Sequence, residues 1–329
     1  IFILSSATFP FKDLLFSRLF PKPPSKAATQ FSNTPSRDAY VVEFWTKSIL
    51  ATNNSVYVGG QLHHTGPNTG SGVPLEASSG TRLATYPYVQ GSVQIAIPDG
   101  NNGWYIGGYF NKVGDKDINF VAHILSDGTV DNSFDAKIPF DDEFNPYSDT
   151  NYVNALALSA DKKTLYIGGQ FGNVNGQVRE NLVAVEATSG AVLNFTADFN
   201  NVLSEVKSLL LSSEGSTLYV GGYFSQVNGQ VRNNIAAINT SDSTLTDWNP
   251  NSDSDILSMA LSSTGSTLYV GGYFRNIGGQ ARNLVAALDT TTASGSATPF
   301  NPNVEPGDVY TIALTKNDEI LYIGGSFSS

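Results

Sequence analysis

Short segments in which apolar and polar residues alternate recur along most of the chain. They read VNALALS at 153–159, VKSLLLS at 206–212, ILSMALS at 256–262 and VYTIALT at 309–315. A period of two puts successive side chains on opposite faces, so each segment predicts a β-strand. A short polar turn follows, as in SSEGS at 212–216. A second strand then runs aromatic–aliphatic–Gly–Gly and ends in an aromatic: Phe110, Phe171, Phe224, Phe274 or Phe327. A loop such as SQVNGQVRNN at 225–234 leads to a third apolar strand: NLVAVEA at 181–187, NIAAINT at 234–240 and NLVAALD at 283–289. A weaker fourth strand closes in FNP at 144–146, WNP at 248–250 and FNP at 300–302. Asn-Gly and Gly turns between β-branched and aromatic runs are hairpin signals. Helical periodicity is weak throughout; DLLFSRLF at 13–20 comes nearest and is short.

The Gly-Gly segment is spelled six times: VYVGG at 56–60, WYIGG at 104–108, LYIGG at 165–169, LYVGG at 218–222 and at 268–272, and LYIGG at 321–325. Its second glycines are 48, 61, 53, 50 and 53 residues apart. A period near fifty fits a four-stranded propeller blade and is too long for most helical solenoids. The fold class expected is therefore all-β, a β-propeller of four-stranded blades with at least six blades. Residues 45–329 are expected to form the propeller. Residues 1–44 are expected to form an irregular N-terminal arm or supply a closing strand. Five units are complete, and the sixth stops after its second strand, leaving an edge open to pairing. IFILSSA at 1–7 is either the tail of an apolar signal segment or an ordinary strand, and the strand is expected.

The glycine pairs are Gly59 and Gly60, Gly107 and Gly108, Gly168 and Gly169, Gly221 and Gly222, Gly271 and Gly272, and Gly324 and Gly325. Blades pack face to face, so their strands are buried on both sides. Leu218 and Val220 are expected to lean toward one neighbouring blade and Tyr219 toward the other. Glycine in a strand marks a bend or the close approach of another backbone. The pair thus has a packing role, with the following aromatic refilling the space. A phosphate-binding loop would need a helix behind it, and here a strand follows.

Composition narrows the function classes. The chain of 329 residues is only 14% charged, carries net charge −11 and has no cysteine. The negative charge disfavours nucleic acid and anionic membrane surfaces. Without cysteine there is no disulfide, thiolate metal site or cysteine nucleophile. No run of 18 apolar residues is present to span a membrane.

Candidate chemistry is sparse. The histidines are His63, His64 and His123. Adjacent strand side chains point apart, so His63 and His64 would not share one ion within a strand. His123 stands where other units carry Ala or Val, and is read as a satisfied strand residue. Arg179, Arg232 and Arg282 recur in GQ-x-R and are read as ties from loop to carbonyl or carboxylate, since a single active site needs residues unique to one blade. The acidic runs at 141–150 and 251–255, with Asp127, Thr129 and Asp131, admit calcium without matching an EF-hand. Trp45, Trp104 and Trp248 are read as core residues rather than carbohydrate platforms. No catalytic residue, cofactor site or metal site is assigned.

The segments ADKKTLYIGGQF at 160–171 and SDGTVDNSF at 126–134, with the GQVRNNIAAI…WNP order, resemble the delta-60 repeats of bacterial β-propellers. GVPLEASSGTRLATYPYVQG at 72–91, running into NGWYIGGYF at 102–110, resembles the start of such arrays. Kelch repeats, whose aliphatic strands also end in Gly-Gly, are the neighbouring family. The resemblance covers roughly 45–329. It implies a secreted or cell-surface place and no known cofactor. The function expected is that of a non-enzymatic scaffold for adhesion or assembly, through protein–protein or glycan contacts. Two alternatives stay open: an enzyme acting on extracellular polysaccharide at the channel mouth, and a calcium- or ligand-binding module of a larger surface protein. The enzyme would require a cluster of non-repeating acidic or His residues on one face, sought first in the loops at 61–72 and 135–150.

Overall fold

The computed structural model describes residues 86–140, 151–199 and 203–328 in full, together with the backbone of three strands between 46 and 76. The expected N-terminal arm, His63, His64, Trp45 and the acidic run at 141–150 lie outside the described residues. The architecture is all-β and antiparallel, with no helix among the described residues. No helix there is long and apolar enough to cross a membrane.

Six units follow one another. The first sheet joins β1 (Thr46–Ala51), β2 (Ser55–Gly60) and β3 (Gly72–Glu76). The second joins β4 (Val89–Pro98), β5 (Trp104–Val113) and β6 (Val121–Ile124). In the third, β7 (Tyr152–Leu158) and β8 (Thr164–Gln170) are followed by a ribbon of β9 (Asn173–Val174) and β10 (Gln177–Val178), then β11 (Leu182–Glu186). The fourth repeats that order with β12 (Glu205–Leu211), β13 (Thr217–Tyr223), β14 (Gln226–Val227), β15 (Gln230–Val231) and β16 (Ile235–Asn239). The fifth has β17 (Ile256–Leu261), β18 (Thr267–Gly272), β19 (Asn276–Ile277), β20 (Gln280–Ala281) and β21 (Val285–Asp289). The sixth pairs β22 (Val309–Leu314) with β23 (Leu321–Gly325). Consecutive sheets touch through their first two strands, so the first strands lie innermost, side by side.

In the second to fifth units the fourth strand is smaller than the sequence pattern suggests. It is a single bridge: Ile124 to Val130, Val185 to Val192, Ile238 to Leu245 and Leu288 to Ala297. Proline and turn residues leave too few consecutive donors for a ladder. The loop after the second strand, by contrast, is ordered. Asn175 and Gly176, and Asn228 and Gly229, take positive φ as the two-residue turns of tight ribbons.

The alternation in LYVGG settles the packing. Leu218 and Val220 join Val206, Leu209 and Leu182 in the core between the third and fourth sheets. Tyr219 joins Ile256, Leu268 and Trp248 on the other side. Each glycine of a pair has its own cause. A Cβ on the first would strike the next sheet's innermost strand: on Gly168 it would stand 2.4 Å from Val206 Cγ1, and on Gly221 2.8 Å from Ile256 Cγ2. A Cβ on the second would strike backbone within its own sheet. It would stand 2.1 Å from the Tyr152 carbonyl at Gly169, and 2.0 Å from those of Glu205, Asp255 and Asp308 at Gly222, Gly272 and Gly325. That carbonyl approaches because the facing strand bulges: Val206 pairs Gly222 and Ser208 pairs Gly221, leaving Lys207 extra. The same bulge stands opposite Gly59 and Gly60, and Gly324 and Gly325. The aromatic two positions on is buried in Phe110, Phe171, Phe224 and Phe274.

Candidate functional site

The bulges define a face. Each lies at the start of an innermost strand, and a bulge re-aims its extra side chain. The extra residues are Gln94, Asn154, Lys207, Leu257 and Tyr310 in the second to sixth sheets. Two positions before them stand Ser92, Tyr152, Glu205, Asp255 and Asp308. Opposite those, just after the glycine pair, come Tyr109, Gln170, Tyr223, Tyr273 and Ser326. The frame repeats and its occupants repeat in part: tyrosine follows the glycine pair in the second, fourth and fifth sheets, and an acid stands two before the bulge in the fourth to sixth.

These side chains connect from sheet to sheet. Asn154 Nδ2 donates to Glu205 Oε1 at 2.8 Å. Lys207 Nζ lies 3.2 Å from Glu205 Oε2 and 2.9 Å from Asp255 Oδ2, bridging the fourth and fifth sheets. The Tyr310 hydroxyl donates to Asp308 Oδ2 at 3.3 Å and stands 3.2 Å from Ser326 Oγ. The Tyr273 and Tyr310 rings meet edge to face, 6.4 Å apart at 89°. Tyr109, Tyr223, Tyr273 and Tyr310 are 36–48% exposed. Exposure on that scale, four times on one face, separates them from the core aromatics.

Electrostatics follow from this crowding. Burial works against the Lys207 ammonium, but the Asp255 hydrogen bond and the charges of Glu205 and Asp255 outweigh it and raise its pKa. Burial, reinforced by Glu205, pushes Tyr152 up strongly. Burial also raises Tyr273; the Lys207 charge opposes the rise, and Tyr310, Asp308 and Asp255 add to it. A lysine whose folded pKa is raised stabilises fully below its unfolded value, about 10.4, and loses that contribution as pH climbs through the folded value. Tyr152 and Tyr273 titrate in the same direction, so the native melting curve alone does not isolate Lys207. Lys207→Met is expected to lose about 1–2 kcal/mol at pH 7, because two carboxylates then face each other without a cation. The gap in thermal stability between it and the native protein should narrow as pH rises above about 10.4. A gap unchanged between pH 7 and about pH 11.5 would contradict the bridge.

The residues singled out in the sequence lie elsewhere. Arg179, Arg232 and Arg282 each donate through Nη1 to the preceding carbonyl, at 2.8–2.9 Å. Arg232 and Arg282 also donate through Nη2 to Thr246 O and Thr298 O. Arg232 and Arg282 thereby fasten ribbon to blade, whereas Arg179 Nη2 donates to Gln177 Oε1 within its own ribbon. His123 is buried, with Nδ1 2.8 Å from Asp131 Oδ2 and Nε2 3.1 Å from Asp99 Oδ2. Its ring stacks on Tyr105 at 4.2 Å. Burial, Asp99 and Asp131 push the Tyr105 hydroxyl up to about 12. Asp127 accepts from Thr129, and Asp131 from Ser133 as well as His123, so these oxygens face partners of their own. Asp253 accepts from Arg275 N, Asn276 N and Asn276 Nδ2. No group of three or more His, Asp or Glu among the described residues stands in metal-holding geometry. Trp104 and Trp248 are buried, and the Trp248 indole donates to Asp289 O at 2.9 Å.

Comparison with known proteins agrees with the repeat. Residues 100–134 and 217–245 match the family model described as a domain of unknown function (DUF5122) beta-propeller. These stretches carry the Gly-Gly strand and the third strand of the second and fourth units, and their match to a beta-propeller model is consistent with the repeat type that the delta-60 resemblance implied. No protein of curated function matches the chain. Among solved structures, a putative 6-phosphogluconolactonase from Bacteroides uniformis is 14% identical, with a TM-score of 0.50 over 82% of this chain and 74% of that one. Hydrazine synthase from Kuenenia stuttgartiensis is 13% identical, with a TM-score of 0.50 over 82% and 70%. At such identities the likeness concerns the fold.

Proposed function

We propose that this chain of β-propeller repeats is an exported, cell-surface scaffold that holds partners through the face where its innermost strands begin. One observation carries the reading: a repeated frame gathers half-exposed tyrosines, Tyr109, Tyr223, Tyr273 and Tyr310, beside polar and acidic side chains on one face. The charges there are mutually engaged, since Lys207 lies between Glu205 and Asp255 and Asn154 binds Glu205. That arrangement favours binding over acid–base chemistry, which needs a carboxylate free to exchange its proton. The resemblance, the acidic charge and the absence of cysteine support a place outside the cell. At least six blades would surround a common axis, and projection images of single particles would count them.

The test uses beads coated with the full chain. Adhesion to cells or cell-wall material should be strong for the native protein and lost in Tyr273→Ala/Tyr310→Ala. Incubation with polysaccharides should release no new reducing ends or unsaturated products. Product release would replace this reading with that of an enzyme at the same face. Adhesion unaffected by the tyrosine changes would overturn it.

A further inference from the structure

Resting on that reading, we infer that the face binds an uncharged, hydroxyl-rich polysaccharide chain and discriminates against anionic ones. Three features converge. The Tyr273 and Tyr310 rings stand at 89° and form a corner in which a sugar ring can lay its C–H face on one and its edge on the other. Around that corner acceptors and donors are mixed: the carboxylates of Asp255 and Asp308 accept, while hydroxyls of tyrosine and Ser326 do both. A chain of vicinal hydroxyls offers the same mixture in return. Two open clefts among the described residues, one beside the β19–β20 ribbon and one beside Trp248, lie away from this face. An open corner of two aromatic rings suits a sugar ring more than a peptide side chain.

Charge decides the class of polysaccharide. Glu205, Asp255 and Asp308 outnumber the single cation, and Lys207 is already held by two of them. A uronate or sulfate arriving there would lose water beside Asp255 and Asp308 and meet no unpaired cation among the described residues of the face. The chain's net charge of −11 repels such polymers before contact.

Affinity electrophoresis of the full chain tests this in gels containing neutral β-glucan or mannan, anionic alginate or pectate, and cationic chitosan. Neutral polymers should retard the native protein and the anionic ones should not. Tyr273→Ala and Tyr310→Ala should each weaken binding about tenfold. Tyrosine-to-phenylalanine changes, which keep the rings, should retain most of it. Phe300→Ala, at an exposed aromatic that meets Tyr269 edge to face, should change nothing. Melting temperatures within about 3 °C of native verify that the variants fold. Retardation by the anionic polymers, by chitosan alone or by none overturns the ligand class. Bead adhesion measured alongside separates the two readings. If no neutral glycan binds but adhesion still depends on Tyr273 and Tyr310, the partner is a protein and the binding face stands. If adhesion ignores them, both readings fall.

Discussion

Gly222→Ala is expected to destabilise the protein by at least about 3 kcal/mol, whereas Gly221→Ala one residue earlier should cost only about 1 kcal/mol. The two glycines look alike in sequence and share extended backbone, so conformational freedom does not separate them. Their surroundings do. The methyl group that Gly222→Ala introduces would stand 2.0 Å from the Glu205 carbonyl oxygen, which the bulge at Lys207 holds in place. Relief requires moving backbone, and Gly222 N–H also donates to Asn234 O on the other side at 3.0 Å. The methyl group of Gly221→Ala would instead meet Ile256 Cγ2 at 2.8 Å and Cβ at 3.0 Å, side-chain atoms rather than backbone, across a blade interface. A side chain can shift by a few tenths of an ångström, and alanine recovers roughly 0.5–1 kcal/mol of the conformational entropy that glycine loses. Urea unfolding of both variants checks the asymmetry. Coupling should appear between Gly221→Ala and Ile256→Ala, and not between Gly222→Ala and Ile256→Ala. Equal losses at the two positions would mean that the bulge does not hold the Glu205 carbonyl.

The same contrast measures how far the sequence could be read. The repeat, the strand alternation and the opposite leanings of Leu218 and Tyr219 were legible, because they follow from the period of two and from burial on both faces. The cause of the second glycine was not, because a bulge is a pairing irregularity and leaves no mark in a single strand. Register in the third strand was likewise hidden. NLVAALD at 283–289 looks like NLVAVEA at 181–187, yet Val285, not Leu284, pairs Gly271 as Leu182 pairs Gly168. Asn181 and Asn234 take positive φ before that strand, and in the fifth unit the position falls to Leu284. Counting from the recurrent arginine (Arg179, Arg232, Arg282) gives the true alignment, and a match of letters misleads. The candidate face escaped for a related reason. Glu205, Asp255 and Asp308 sit at one fixed offset before the glycine pair, but they look like three unrelated polar residues until the bulge places them side by side. An acidic residue at the same place in three successive repeats is the signal that could have found them.

His123→Ala should be among the most damaging changes in the second sheet, at about 3–4 kcal/mol. The loss comes from the two carboxylates that the substitution uncovers. Asp99 spends Oδ1 on Asn101 N and Gly103 N, and Asp131 spends Oδ1 on Ser133, while each directs Oδ2 at the imidazole. The Asp99 side chain is 7% exposed and that of Asp131 16%, so water is a poor substitute for the lost donor. Burial alone would raise the Asp131 pKa, yet its hydrogen bonds from Ser133 and His123 hold it below the usual carboxylate value. A carboxylate depressed in this way stabilises the fold above its unfolded pKa, near about 3.9, and loses that contribution as pH falls through the folded value. Without His123 part of the depression goes, so acid unfolding of the variant should begin at higher pH than in the native protein. The ring's stacking on Tyr105 at 4.2 Å is lost as well. If the uncompensated carboxylate is the main cost, Asp131→Asn should destabilise the native protein by about 1–2 kcal/mol but be neutral or stabilising in the His123→Ala background. Additive losses in that double-mutant cycle would show that the histidine contributes by filling space rather than by satisfying the two carboxylates that tie the turns of the blade together.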